Sequence, residues 1–272
     1  MKPLLLAVLA AYVVAAIHSV LAFVNKRRAV ERVAFLSLAI GFMLHTASLI
    51  IDWTQEGHYP LFGLRETLSF LAWTLVVTFL LTLSRYRATA LGSFTLPLVA
   101  LLTFAAMVIR SKATTPGTMT DGGAAWLFPL HATMLAFAYA SFFVVFIASI
   151  MYLVQERELK LKTFGAFFHR LPSLSTVNEI ASHAAGIGLT LLTLGIATGM
   201  LWSSSLNGRL WHNDPKEIFS ALTWMLYLAL IVYRASAGWR GRRAAWLGVA
   251  GFALVLCTFF GTRLMGTYHV FG

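Results

Sequence analysis

Apolar runs of roughly helix-spanning length, separated by short polar or basic stretches, repeat along the entire chain. A bilayer hydrocarbon core takes about 20 apolar residues per helix. That length predicts eight spans, at residues 3–24, 33–51, 67–84, 89–109, 127–153, 180–202, 218–233 and 245–264. The expected fold is therefore all-α, a polytopic membrane protein with eight transmembrane helices, taken as a single domain over residues 1–272. The first span runs into the basic stretch Lys26, Arg27, Arg28 and shows no small-residue cleavage site, so it reads as a retained helix rather than a signal peptide.

Composition strengthens this picture. Hydrophobic residues make up 59% of the chain and charged residues 11%, against roughly 45–50% apolar usage in a soluble domain. The one cysteine, Cys257, lies inside an apolar segment, which excludes an intramolecular disulfide, a CxxC redox pair and a cysteine-built zinc site. The net charge of +11 comes from lysines and arginines spread through short loops, not from a basic face, so nucleic acid is not an expected partner. When alternate loops are assigned to opposite sides, fourteen of the 21 basic residues fall on one side, among them Lys26, Arg85, Arg157, Lys160, Arg170, Arg234 and Arg242. The positive-inside rule makes that side cytoplasmic and places both termini outside.

The loops on the two sides differ. The cytoplasmic segment 155–179 alternates basic residues with Leu161, Phe164, Phe167 and Phe168, the pattern of a short helix lying among headgroups. The outer loops, 52–66, 110–126 and 203–217, carry Trp53, His58, Trp126, Trp211 and His212, with His131 and His269 near the same surface. Interfacial tryptophans commonly serve only as a belt. His131 and His269 fall at one depth when helices rise about 1.5 Å per residue. Two neutral imidazoles at one level would make an axial pair for a haem iron, with aromatic rings flanking the macrocycle and Arg65, Arg110, Lys112, Arg209, Lys216 and Arg263 available for its propionates. Zinc suits the pattern less well, because no further ligands stand in tight spacing. The plainer alternative is interfacial histidines hydrogen-bonded to backbone or lipid.

His45 stands near the middle of the second span, "AFLSLAIGFMLHTASLIIDW", where an ionisable side chain is costly and functional by default. It could bond a neighbouring helix, or share a ligand with His183 or His18, which lie toward the cytoplasmic ends of their helices.

The polar run "SLNGRLWHNDPKEIF" (205–219) contains a helix start: Asp214 at the N-cap, Pro215 at N1 and Glu217 at N3 closing a capping box. With Gly208, Trp211, Lys216 and the nearby Trp202 and Trp224, it resembles the tryptophan-rich outer loop, typically WGxxWxWDPKE, of the cytochrome c assembly proteins, the CcsA, CcmC and HemX group of haem-handling membrane proteins. "GHYPLFGLRET" (57–67) is similar to that family's GHxPLxNxYE loop. "GIGLTLLTLGIATGMLW" (186–202), with a Gly195/Gly199 GxxxG face, resembles the helix before the tryptophan loop. "MYLVQ" (151–155) and "GWRGRRAA" (238–245) match in kind and order.

The resemblance implies that His131 and His269 ligate haem at the external face, that His45 is the family's histidine on the second helix, and that Trp211 stacks on the ring. With the readings above, the expected haem b contacts are His131, His269, His45, Trp211, Asp214, Trp202 and His183; His131 and His269 are the metal ligands, and none is catalytic. Two departures stand out. Asn207 and Asn213 replace tryptophans of the fuller motif, and Val232 stands where synthase members carry a second membrane histidine.

Two functions follow from the resemblance. The first is haem delivery in cytochrome c biogenesis at a bacterial inner membrane, with a second membrane subunit bearing a large outer domain, since these loops are too short to cradle an apocytochrome. The second is a HemX-like regulator of haem synthesis acting on a cytoplasmic partner, glutamyl-tRNA reductase. Delivery is preferred. At most the chain is the haem-delivery subunit of a synthase, not an enzyme by itself. A solute transporter finds no support, because the chain shows no inverted repeat or broken-helix pair.

Overall fold

A computed structural model describes residues 2–25, 27–56, 59, 61, 63–109, 126–162, 165, 168–236 and 241–261. Among these residues the chain is all-helical: α1 (Lys2–Asn25), α2 (Arg28–Glu56), α3 (Leu64–Tyr86), α4 (Gly92–Val108), α5 (Leu127–Leu161), α6 (Leu174–Asn207), α7 (Pro215–Ser236) and α8 (Arg242–Leu256). Eight of these helical stretches are long and apolar enough to cross a membrane, so the protein is polytopic as the hydropathy pattern predicts. The helices form two compact units, α1–α4 and α5–α8.

In the first unit α1 packs on α2 and α4, and α3 packs on α4. The buried stripe of α1 is Leu5, Val8, Tyr12, Ala15 and Ser19, and that of α2 is Ala34, Leu38, His45 and Ser48, both at three- and four-residue spacing. The opposite faces are equally apolar: Leu6, Val13, Ile17, Phe35, Leu36, Ile40 and Met43 are exposed. In water that would be an aggregation surface; in lipid it is a solvated one, and what distinguishes the inward face is small and polar side chains that interlock.

The second unit centres on α5, the most enclosed of the eight spans. Phe142 stacks on Tyr227 of α7 with ring centroids 3.6 Å apart, and Ala138, Val145, Ala185, Leu192, Leu230 and Val255 close around them. Gly188 admits the Phe142 ring, since a methyl group there would lie 2.5 Å from its Cε1. One end of this unit gathers the start of α5, the end of α6 and the start of α7, and is called here the loop end. The other gathers Arg157, Lys160, Arg170, Arg234, Arg242 and Arg243, and is the basic end.

Helix lengths correct two expectations. At 35 and 34 residues, α5 and α6 each run about 50 Å, well beyond a hydrocarbon core of about 30 Å. Segment 155–179 is consequently not a separate headgroup helix. Its first residues continue α5 as far as Leu161, a single 3-10 turn spans Phe168–Arg170, and Leu174 already begins α6; Phe164 and Phe167 lie outside the described residues. The charged stretch stays helical because Lys160 pairs with Glu156 one turn earlier, at 2.7 Å. Ser173 then caps α6, accepting from the Thr176 amide at 3.2 Å.

Candidate functional site

At the loop end of the second unit His131 sits in the second turn of α5 and faces α6. Its Nδ1 lies 2.6 Å from the Gly195 carbonyl oxygen. A carbonyl only accepts, so Nδ1 donates the proton in this contact, the kind of bond that orients an imidazole from behind. Gly199, one turn along, is the floor under the ring: a Cβ there would fall 2.6 Å from His131 Cε1 and Nδ1. Gly195 receives Leu135, one turn after His131, in the same way, at 2.7 Å from its Cδ2. The GxxxG pair therefore exists to seat an i, i+4 pair from α5, the histidine included.

Trp202 follows one turn beyond Gly199. It is buried against Phe128 of α5, ring centroids 5.0 Å apart, and its indole N–H has no acceptor among the described residues. A buried indole donor ordinarily finds a partner. The loop end of α5 and α6 thus carries an imidazole held by Gly195 and Gly199 and a buried indole donor with no acceptor among the described residues. No group of three or more His, Cys, Asp or Glu side chains able to hold a metal ion exists among the described residues, so a zinc-type cluster does not arise there.

The loop joining α6 to α7 follows turn chemistry closely. Gly208 ends α6 in the left-handed region (φ 66°), its amide donating to the Ser204 carbonyl at 2.9 Å. Asp214, 4% exposed, accepts from the Lys216 amide at 2.8 Å through Oδ1, and Glu217 Oε2 accepts from the amides of Asp214 at 3.2 Å and His212 at 2.8 Å. The predicted capping box is present. Asn213 adopts φ 57°, which asparagine tolerates better than a tryptophan would, and its Oδ1 accepts from the exposed Trp211 indole at 2.8 Å. Of the residues shared with the tryptophan motif, Gly208, Asp214 and Glu217 shape the turn, while Trp211 is presented outward.

In the first unit His45 is completely buried, and both its nitrogens are engaged. Nδ1 lies 3.1 Å from the Tyr12 hydroxyl of α1, and Nε2 lies 3.0 Å from Ser69 Oγ of α3. Gly41, one turn before His45, makes room for the Tyr12 ring, at 2.7 Å from a Cβ position to Cδ1. Sequence reasoning missed Tyr12 and Ser69, since a tyrosine and a serine on inward stripes carry no signal of their own; only their depth matching that of His45 could have found them. His18 is not a partner of His45; its Nδ1 turns to the Val14 carbonyl at 2.8 Å. His183 is exposed on α6, sixteen residues or about 24 Å along the helix from Gly199, so it is not near His131. His58 and His269 lie outside the described residues, as do Arg110, Lys112 and Arg263.

The family profile described as "Cytochrome C assembly protein" matches residues 61–269, which include the His131 seat and the capped loop. The chain is 28% identical over 261 residues to the cytochrome c biogenesis protein CcsA of Synechococcus sp. (strain CC9605), covering 87% of this chain and 86% of that one. It is 28% identical over 264 residues to CcsA of Prochlorococcus marinus (strain MIT 9215), covering 88% and 84%. For CcsA of Prochlorococcus marinus (strain MIT 9301) the identity is 27% over 273 residues, covering 92% and 87%. The alternative of a HemX-like regulator is not supported by these likenesses, and the left-handed turn at Asn213 gives one of the two tryptophan replacements a local structural reason. Matched by the profile across well over half its length, and by CcsA sequences nearly end to end, the chain belongs to the cytochrome c assembly protein family.

Proposed function

We propose that this protein acts in cytochrome c biogenesis by holding haem as cargo at the loop end of α5 and α6 and presenting it for attachment to an apocytochrome. The observation that supports the reading is the His131 seat, in which the Gly195 carbonyl holds the proton on Nδ1 and Gly199 packs against the ring; Nε2 would then face the iron. In this reading His269 would be the second imidazole to hold haem. Trp202 donates its buried indole N–H to the haem edge, Trp211 covers the ring from the loop, and Asp214 holds that loop in place through its cap. Held by two imidazoles, haem b would be carried with its iron shielded from oxygen and water. Residues 1–272 work as one functional domain in a bacterial inner membrane, both termini outside, beside a second membrane subunit that positions the apocytochrome.

The surroundings of His45 do not fit a second haem: the ring is fully enclosed and both nitrogens are satisfied by hydroxyl groups. We read it as a clip joining α1, α2 and α3.

The test is covalent haem staining of c-type cytochromes in cells whose copy of this gene is deleted and replaced by variants. Loss of stained cytochromes on deletion, recovery with the wild-type chain and failure with His131→Ala or His269→Ala are expected, whereas His58→Ala restores staining. Full staining in the deletion strain, or full recovery by both histidine variants, contradicts the proposal.

A further inference from the structure

The segment between Gly208, which ends α6, and Asp214, which caps α7, is tied at several points. Ser203, near the end of α6, donates its hydroxyl hydrogen to the Arg209 carbonyl at 3.1 Å. With that proton committed, Ser203 Oγ faces His212 as an acceptor, 3.2 Å from its Nδ1. Glu217 Oε1 stands 3.5 Å from the same nitrogen, while its Oε2 takes the His212 and Asp214 amides at 2.8 and 3.2 Å. Nδ1 therefore lies between two acceptors and carries hydrogen toward them. A serine, a histidine and an acid invite comparison with a nucleophilic triad, in which the serine and the acid occupy opposite ring nitrogens. Here both lie on Nδ1, so the arrangement is a clamp and not a proton relay.

The clamp borders Trp211. On one side of that residue the Arg209 carbonyl is held by Ser203, and on the other His212 is held by both its amide and its ring. Asn213, in the left-handed region at φ 57°, accepts from the Trp211 indole at 2.8 Å. Trp211 is nonetheless 39% exposed. An exposed ring whose flanking backbone and N–H are both restrained has given up its freedom before any ligand arrives, which lowers the cost of the contact it then makes. A tryptophan serving only as a membrane belt needs no such restraint. Ser203 also continues the Gly195, Gly199 row of α6 at four-residue spacing, about 6 Å beyond Gly199 along the axis. The clamp thus stands on the helix row that seats His131. His212 occupies the one place in WxWDPKE that the motif leaves open, so the motif itself does not call for an imidazole there.

We propose that His212 is a positioning residue, pinning the loop to Ser203 of α6 and Glu217 of α7 so that the Trp211 ring is held where it covers haem. This role rests on the reading that haem lies at the loop end beneath Trp211.

The test uses the full chain, purified in mild detergent, with two readouts: amide hydrogen exchange across 205–217 in the haem-free protein, and haemin affinity from titration of the Soret band. In His212→Ala the exchange of the loop amides should quicken about tenfold, and haemin affinity should fall about five- to tenfold, on the scale of one hydrogen bond. His212→Asn, whose side-chain amide places a donor near the position of Nδ1, should recover most of both. In a Trp211→Ala background, His212→Ala should change affinity by less than about twofold, because the ring it positions is gone. Wild-type affinity in His212→Ala beside a clear loss in Trp211→Ala overturns the proposal, as does a His212→Asn variant no better than His212→Ala. Equal losses from His212→Ala in both backgrounds overturn it in favour of a direct contact between His212 and haem. Wild-type affinity in Trp211→Ala removes the reading of Trp211 over haem, and the positioning role with it.

Discussion

Replacing Gly199 with alanine sets a methyl group 2.6 Å from Cε1 and Nδ1 of His131. Ordinary contact begins near 3.4 Å, so the imidazole has to retreat by about 0.8 Å. The bond from Nδ1 to the Gly195 carbonyl, 2.6 Å long, then stretches out of useful range, at about 0.5–1.5 kcal/mol. Crowding in a packed helix interface adds about 1–3 kcal/mol. The orienting partner of a metal-ligating histidine is typically worth about 10–100-fold in metal affinity. Gly199→Ala should therefore lower haem affinity by about one to two orders of magnitude per folded molecule, measured by haemin titration of the Soret band on monodisperse detergent-purified protein. Gly188→Ala is the control. Its methyl group meets Phe142 Cε1 at 2.5 Å, a comparable clash more than two turns deeper along α6, so it should lower thermal stability while leaving the affinity of the folded fraction unchanged. Equal affinity losses in the two variants, or none in Gly199→Ala, would refute the idea that α6 seats the haem ligand.

Other consequences are open to measurement. Asp214→Ala removes the acceptor of the Lys216 amide and should destabilise the chain by about 1 kcal/mol, seen as a lower melting temperature and faster amide exchange in the first turn of α7, with Asp214→Asn close to wild type. Tyr12→Phe leaves His45 Nδ1 without its hydroxyl and should cost about 1–3 kcal/mol; combined with Ser69→Ala it should show a coupling of about 0.5 kcal/mol or more through the shared ring, and haem affinity should not change. Trp202→Phe keeps the packing on Phe128 and deletes the unpartnered indole donor, so apo stability should hold or rise while haem affinity falls several-fold in the same titration.

Much of this architecture was legible in the residues. Eight apolar runs gave eight helices, because in lipid the backbone must satisfy itself and hydropathy alone then marks the spans. Asp214, Pro215 and Glu217 announced the start of α7, since capping is local chemistry that needs no knowledge of the fold. The ends of α5 and α6 were misread because charge was taken as the end of a helix, whereas Glu156 and Lys160 pair within one. Arg234 was counted among loop cations, yet it is drawn inside by Asn178 and Ser182 of another helix, fifty or more positions away in sequence. The role of Gly199 was half visible: its spacing from Gly195 promised a close helix contact, but which side chain filled the gap depended on the register between α5 and α6. His45 stood out in the sequence by its depth in a span, but its partners Tyr12 and Ser69 could not be chosen from the many hydroxyls at similar depth.

The proposed function requires that His131 and a second imidazole hold the same haem iron. Near-infrared magnetic circular dichroism on the purified ferric protein reads the axial pair directly, because the charge-transfer band of a low-spin haem shifts with ligand identity. A bis-imidazole band is expected in the wild-type chain, disappearing in His131→Ala and returning when free imidazole is added. A wild-type spectrum of any other ligand pair, or a bis-imidazole band that survives in His131→Ala without added imidazole, would contradict it.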